Sequence, residues 1–462
     1  MVNIKFGTDG WRAIIAKEYT VDNLIRVSYA SAKWMKEKGY KRVAIGFDCR
    51  FAGKMFGEIA ACVFADNGIE VVFDPNFAST PMVSLAVVKT SSDMGVVITA
   101  SHNPPAYNGF KLKSGFGGPT IPKEIAEVEA MIPDHVPSCN TDFGHFVEKG
   151  IIRNIDMEQM YIDHVLEYFD VAAIKKGVVL AFDAMYGAGQ NVIRRLIPEA
   201  HLLHCEFNPS FLGQAPEPIE KNLRELAELI KSNKDITLGL AIDGDADRIG
   251  LFDEDGEFVD SHHILLLALY YMYEFKKENG KVAVSFSVSN KVEKLAQQYG
   301  LDFQVTGIGF KYIAEIMIHE KVIVGGEESG GISVTGHIPE RDGIWMGLII
   351  MELMAKTGKS LKELIALMYE KVGAFKFDRD DLHLDQETMS RVLENCTKLK
   401  DIGGRPIIRT ETIDGWKYFL DEDTWVMVRP SGTEPVFRVY CQAENREKVR
   451  ETLNEAHKSL LA

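Results

Sequence analysis

Three aspartates alternate in the run Ile242-Asp243-Gly244-Asp245-Ala246-Asp247-Arg248, at the end of an apolar stretch. Alternation in an extended segment aims side chains to one side, where carboxylates repel one another strongly. A divalent cation relieves that repulsion, and hard oxygen ligands suit Mg²⁺ or Ca²⁺. The plain alternative is a solvated acidic turn. A second alternative is an EF-hand calcium loop, because Asp243, Asp245, Asp247 and Glu254 fall at its positions 1, 3, 5 and 12. Its sixth position needs glycine and holds Arg248, and both flanking runs read as strands where that motif has helices.

Four further runs carry reactive residue types. Thr99-Ala100-Ser101-His102-Asn103-Pro104-Pro105 sets a hydroxyl beside an imidazole, in a loop that follows a strand. Adjacency in sequence does not bring a base onto its hydroxyl as a hydrolase triad requires. The nearby Asn108-Gly109-Phe110-Lys111 reads as a turn and a cation. Lys111 is either an ordinary surface charge or, in a desolvated anionic site, a group that transfers protons. Gly325-Gly326-Glu327-Glu328-Ser329-Gly330-Gly331 offers carboxylates that accept sugar hydroxyls, and glycines that let a ligand approach the backbone. Arg429-Pro430-Ser431-Gly432-Thr433-Glu434-Pro435 offers an arginine, hydroxyls and free backbone N–H groups, an anion cradle unlike a Walker loop. Taken singly, each run is also compatible with an ordinary polar or glycine-rich turn. The N-terminal Phe6-Gly7-Thr8-Asp9-Gly10-Trp11-Arg12 is a turn ending in an arginine.

The elements that must carry these loops follow one repeated pattern. Short apolar runs predict strands over 43–48, 69–74 and 95–99, with a helix over 53–67. The theme restarts with a strand over 178–183, helices over 190–196 and 222–231, and a strand over 237–242. It restarts again with strands over 281–287 and 322–324 and helices over 290–299 and 310–319. Such alternation implies βαβ units and buried, largely parallel sheets. The C-terminal part differs, with short strands over 382–384, 425–428 and 436–442 and an amphipathic helix over 445–460. The expected fold class is α/β: three similar α/β domains with mostly parallel mixed sheets, then an α+β domain. The expected boundaries are 1–150 with the serine loop, 151–255 with the metal loop, 256–372 with the sugar loop and 373–462 with the phosphate loop.

Composition narrows the function classes. The 462 residues are 46% hydrophobic and 26% charged, an ordinary globular mix that excludes disorder. With 52 basic and 67 acidic side chains the formal charge is −15, which argues against a general nucleic-acid or anionic-membrane binder. Cys49, Cys62, Cys139, Cys205, Cys396 and Cys441 are scattered without zinc spacing and read as free thiols. The most apolar stretches, 264–273 and 344–351, fall short of the ~20 residues of a spanning helix. The first 15 residues lack the apolar segment of a secretion signal, so a cytoplasmic location is expected.

In this order and spacing the five runs resemble the α-D-phosphohexomutase family, which includes phosphoglucomutases, phosphomannomutases and phosphoglucosamine mutases. The resemblance runs from Phe6 to Tyr440 and implies four domains around one central cleft, each giving one loop. It implies that Ser101 carries the transferable phosphoryl group. Asp243, Asp245 and Asp247 match the Mg²⁺ ligands, with a phosphoserine oxygen of Ser101 completing the set. Glu327 and Ser329 match sugar-hydroxyl contacts, and Arg429, Ser431, Gly432 and Thr433 match the site of the distal phosphate. Arg12, His102, Lys111 and Arg248 match polar residues around the phosphoserine.

Within the family, Glu327-Glu328-Ser329 looks like the glucose-type loop. Many dual-specificity glucose/mannose enzymes end that loop in histidine, where this chain has Gly331. The run His337-Ile338-Pro339-Glu340-Arg341-Asp342-Gly343-Ile344-Trp345 and the run Gly309-Phe310-Lys311-Tyr312 also resemble the phosphoglucomutase branch, with His337 and Lys311 as substrate contacts. Chain length and the Ser-Gly-Thr phosphate loop are closer to the mannomutase and glucosamine branches.

The implied activity interconverts glucose 1-phosphate and glucose 6-phosphate through a phosphoserine enzyme and a 1,6-bisphosphate. The alternatives are a phosphomannomutase or a dual-specificity phosphoglucomutase/phosphomannomutase, followed by a phosphoglucosamine mutase, a metal-dependent phosphatase and a calcium-binding module. Mg²⁺ and a hexose 1,6-bisphosphate activator are the implied cofactors. Small hexose phosphates are the expected partners of a monomer or homodimer, without nucleic acid or membrane. Lys111 is the first candidate for the base that deprotonates the sugar hydroxyl, and His102 is the second.

Overall fold

The structure, a computed structural model, describes residues 2–430 and 436–461. Ser431, Gly432 and Thr433 of the phosphate loop therefore lie outside the described residues. The chain divides into two compact units: 1–281 with 309–364, and 282–308 with 365–462.

The first unit opens with a six-stranded sheet in the order Trp11–Ile14, Tyr107–Ser114, Met94–Ile98, Arg42–Phe47, Glu70–Phe73, Ile152–Asn154. The last four strands of that order run parallel, and the first two are antiparallel additions. Arg42–Phe47 and Met94–Ile98 read as near-continuous apolar runs because a parallel sheet is covered on both faces. Helices Val21–Glu37, Gly53–Asp66 and Thr80–Lys89 provide that cover. The second sheet has the order Phe258–Val259, Ile249–Phe252, Leu238–Ile242, Leu180–Asp183, His201–Leu203. Its last three strands are parallel and its first two antiparallel. A third α/β region gives this unit the antiparallel pair Val322–Gly326 and Ile332–Val334 and helices Ser261–Tyr270, Phe310–Met317 and Gly343–Thr357.

The second unit holds strand Asp302–Thr306 and helix Asn290–Gln298 of the third region. It also contains a five-stranded antiparallel sheet: Lys376–His383, Val436–Ala443, Trp425–Pro430, Trp416–Phe419, Arg409–Glu411. Helices Gln386–Lys398 and Arg446–Leu461 pack on it around Val392, Val426, Val439 and Leu453. The chain thus forms three similar α/β domains and a C-terminal α+β domain.

Part of the acidic surplus is structural. Asp142, Asp156, Asp170, Asp260, Asp342 and Asp385 each cap a helix N-terminus, accepting backbone N–H groups that have no partner within the helix. The apolar stretch at 344–351 is the buried N-terminal half of helix Gly343–Thr357. Among the described residues no helix is long and apolar enough to cross a membrane, and all six cysteines are free.

Two local expectations are corrected. Asn108-Gly109 is not a turn but lies inside strand Tyr107–Ser114. That strand buries Asn108, Lys111 and Lys113, so its polar sequence hides its position. Glycine is required at 109 because a β-carbon there would meet Thr99 O at 2.4 Å and Trp11 O at 2.6 Å, from the backbone segments on either side. The short strand expected over 382–384 is the end of the eight-residue strand Lys376–His383, whose alternating aspartates mask its length.

Candidate active site

Each α/β domain presents its reactive loop beyond the carboxyl end of a strand, where open α/β sheets receive ligands. Ser101 follows Met94–Ile98, Asp243 follows Leu238–Ile242 and Glu327 follows Val322–Gly326. All three belong to the first unit.

Ser101 is 1% exposed and has a φ of 51°, in the left-handed region that a side chain disfavours. Its Oγ donates a hydrogen bond to Asp243 Oδ2 at 2.7 Å and lies 3.3 Å from His102 Nδ1. Asp243, Asp245 and Asp247 are fully buried, with one oxygen from each within 4.8 Å of the others. Asp243 Oδ1 accepts the backbone N–H of Asp247 and Arg248, which turns the loop back on itself. The flanking elements are strands Leu238–Ile242 and Ile249–Phe252, which removes the EF-hand alternative. Burial and the charges of Asp245 and Asp247 push the Asp243 carboxyl well above its usual range. Asp245 Oδ1 and Asp247 Oδ1 are buried without a hydrogen-bond partner. Converging carboxylates with two buried, unpartnered oxygens fit a hard divalent cation.

The other oxygens of the cluster are neutralised by cations. Lys111 Nζ lies 2.6 Å from Asp9, 2.8 Å from Asp245 and 3.1 Å from Asp247. Burial alone would lower its pKa, but the three carboxylates outweigh burial and raise it. These contacts favour the ammonium form and place Lys111, the first candidate for the base, among the groups that balance the charge of the carboxylates. Arg341 bridges Asp247 at 2.6 Å and Asp9, and faces Glu327 at 3.7 Å. Arg341 and Asp9 lie within the sequence runs above, which assign neither a role. Thr80, which donates to Asp245 Oδ2, was not seen at all. Their partners lie 332 and 165 residues away, and the one available signal was the concentration of charge in Glu340-Arg341-Asp342.

Arg12 donates to Asn103 Oδ1 at 2.8 Å, beside the serine loop. Arg248 lies 3.7 Å from Glu217 and 4.0 Å from Asp247. His102 is held well below its ordinary pKa by burial and by Arg248, Arg12, Lys111 and Arg50, so its imidazole is neutral.

In the sugar loop, Glu327 accepts the backbone N–H of Gly309 at 2.9 Å. Burial pushes its carboxyl up to about 7, with Arg341 opposing. Ser329 is half-buried in the turn between Val322–Gly326 and Ile332–Val334. A β-carbon at Gly331 would sit 2.3 Å from Arg341 Cδ. Lys311, in the first turn of helix Phe310–Met317, lines a small cavity with residues 6–10 of the N-terminal turn. His337, expected to contact substrate, is engaged by neighbouring side chains. Its ring nitrogens are engaged by His164 at 3.2 Å and Asp342 at 2.9 Å, and its ring stacks on Trp345 at 3.9 Å. Tyr161 OH completes this cluster on Asp342 at 2.7 Å.

In the second unit, Arg429 Nε donates to Asp414 Oδ1 at 2.9 Å. This bond engages one edge of the guanidinium.

Comparison with known proteins matches nearly the whole chain. Sequence models of the phosphoglucomutase/phosphomannomutase α/β/α domains I, II and III match residues 3–136, 159–256 and 260–372, and that of the C-terminal domain matches 389–458. A phosphoglucomutase/phosphomannomutase of Thermococcus kodakarensis is 32% identical over 97% of this chain and 96% of its own. A phosphoglucosamine mutase of Methanocaldococcus jannaschii is 31% identical over 98% of this chain and 97% of its own. A crystal structure from Thermus thermophilus, named as a phosphomannomutase, superposes with a TM-score of 0.88 at 31% identity, covering 99% of each chain. With four consecutive domains matched and full-length relatives above 30% identity, this chain belongs to the phosphoglucomutase/phosphomannomutase family of the α-D-phosphohexomutase superfamily.

Proposed function

We propose that the protein is a phosphohexomutase of dual glucose/mannose specificity, interconverting hexose 1-phosphate and hexose 6-phosphate through a phosphoserine at Ser101. The observation that carries this reading is the 2.7 Å contact between Ser101 Oγ and Asp243, within a buried trio of aspartates. The glucose-only expectation gives way to the broader reading. The Thermococcus relative is named for both sugars and the Thermus structure for mannose. The Methanocaldococcus relative's name favours a second reading, a phosphoglucosamine mutase.

Phosphorylated Ser101 donates its phosphoryl group to the free hydroxyl at one end of the sugar. The Ser101 O–P bond breaks as the new O–P bond forms, giving a 1,6-bisphosphate. After this intermediate turns over, its other phosphoryl group returns to Ser101. Asp243, Asp245 and Asp247 would hold Mg²⁺ together with a phosphoserine oxygen. When bound, that ion supplies positive charge against the transferring phosphoryl group. Lys111 and Arg248 add fixed positive charge in a water-poor site, where it acts most strongly. His102, neutral and beside Ser101 Oγ, takes the hydroxyl proton. Burial, and after it the nearby cations, depress its basicity, and a phosphoryl dianion on Ser101 would offset the part due to the cations.

Glu327 and Ser329 accept sugar hydroxyls in either orientation of the substrate. Lys311 contacts substrate from its cavity. In the second unit, Arg429, with its remaining donors, binds phosphate. Rates with glucose, mannose and glucosamine 1-phosphates, measured side by side with Mg²⁺ and a bisphosphate activator, test the reading. Comparable glucose and mannose rates are expected. A glucosamine rate far above both would select the second reading, and release of inorganic phosphate without isomer exchange would mark a phosphatase.

A further inference from the structure

We propose that Arg50 is a positioning residue for the phosphoryl-carrying serine, holding the loop 101–107 from beneath so that Ser101 keeps its left-handed backbone. This inference rests on the mutase reading above. Arg50 lies just beyond strand Arg42–Phe47 and Ser101 just beyond Met94–Ile98, and Phe47 pairs with Ile98 at the end of that parallel ladder. The topology therefore brings the two residues together although they are 51 positions apart in sequence.

Arg50 is 1% exposed, and its guanidinium is taken up almost entirely by one loop. Nη1 donates to the carbonyls of Pro104 and Tyr107, both at 3.0 Å. Nη2 donates to those of Ser101 and Asn103 at 2.5 and 2.6 Å. Nε pairs with Asp48 Oδ2 at 3.3 Å, and the ring of Phe211 lies 5.2 Å from the guanidinium carbon. Asp48 Oδ2 also accepts the hydroxyl of Thr99, whose oxygen accepts the backbone N–H of Ser101 at 2.9 Å. One buried ion pair thus fixes Ser101 through its carbonyl and, by way of Thr99, through its amide.

A residue with a side chain seldom holds a φ of 51° without support from its surroundings. Arg50 and Thr99 supply that support on both sides of Ser101. The planar fork of arginine matches the task, because its donors are set at fixed angles and reach four carbonyls at once. A lysine ammonium has fewer donors on a single atom. Arg50 does not touch Ser101 Oγ, so its effect on the reaction runs through where that oxygen points.

The test is the single-turnover rate at which glucose 1,6-bisphosphate labels Ser101 in the full-length protein, followed by intact mass. Arg50→Lys keeps a charge facing Asp48 but loses the fork. The expected result is labelling slowed by about 100-fold, the scale for a displaced reacting group, with an unchanged KM for hexose 1-phosphate. Thr99→Val should slow labelling in the same way, and Thr99→Ser, which keeps both hydrogen bonds, should restore it. A merely structural role would lower the melting temperature or the folded yield without separating kcat from KM. If Arg50→Lys does not fold, the two Thr99 variants decide the question. Labelling of the folded variants at the wild-type rate overturns the inference and leaves the mutase reading intact. A wild-type protein that never labels removes both.

Discussion

Glu327 offers a test in which one substitution must move two independent measurements. Its carboxyl lies at about 7 instead of 4.5, chiefly because it is buried and despite Arg341. If the ionised carboxylate receives the sugar hydroxyls, kcat/KM must rise with pH through about 7. At pH 6 roughly a tenth of the free enzyme is ionised, so kcat/KM there should be about a tenth of its plateau. The same ionisation appears in stability. The folded protein keeps a proton that the unfolded chain releases, so the contribution is fully present below about 4.5 and lost as pH rises through about 7. The interval between 4.5 and about 7 corresponds to roughly 3 kcal/mol at 1.36 kcal/mol per pH unit.

Glu327→Gln keeps an oxygen for the Gly309 N–H and removes the titration. Its metal-free stability, relative to wild type, should therefore improve by up to about 3 kcal/mol between pH 5 and pH 8. Its kcat/KM should be low and should lack the limb near pH 7. Urea unfolding of the first unit and initial rates across pH 5.5–9 provide the two readouts. A wild-type limb that persists unchanged in Glu327→Gln would belong to the substrate phosphate. Together with parallel stability curves, it would refute the reasoning.

The remaining expectations concern other parts of the site. Ser101→Ala should take no phosphate from a hexose bisphosphate and lose activity by on the order of 10⁴-fold or more, as when a nucleophile is removed from a concerted set. Asp245→Asn should raise the Mg²⁺ concentration for half-maximal rate by at least roughly 10-fold, the low end for weakening even an indirect metal contact. Binding of Mg²⁺ should weaken as pH falls, because burial and the neighbouring carboxylates raise the Asp243 pKa and protons then compete with the ion for that carboxylate; calorimetry in two buffers of different ionisation enthalpy reads any linked proton release directly. His337→Ala should cost about 1–3 kcal/mol of stability by leaving buried partners unpaired, with KM unaltered; a raised KM in a folded variant would restore its role as a substrate contact. Arg429→Ala should raise KM by an amount equivalent to about 2 kcal/mol or more, and an unaltered KM would remove it from phosphate binding.

What the sequence made legible was local. The alternation at Asp243, Asp245 and Asp247 and the strand before it lie within one short run, so their convergence could be read from spacing alone. Ser101 was visible locally only as a hydroxyl beyond an apolar strand, and the role proposed for it came from the resemblance of the five runs taken together. The counter-charges were not legible. Asp9, Lys111 and Arg341 come from three distant stretches, and their meeting depends on which strands pair. Strand Tyr107–Ser114 escaped because its buried lysines spoil the hydrophobic pattern, and they are buried only because those distant carboxylates exist. His337 shows the opposite side of this. Its residue type suits a ligand contact, but Trp345 and Asp342, a few positions on, fold back to occupy it.

The close approach of Gly331 to Arg341 constrains how this enzyme's preferences can evolve. Any larger residue at 331 must displace the Arg341 side chain, which also neutralises Asp9 and Asp247. A change made to admit a different sugar would then reach the aspartate cluster as unbalanced negative charge. Sequence drift at these two positions should therefore be epistatic: a histidine at 331 requires the Arg341 side chain to take another position or residue 341 to change with it.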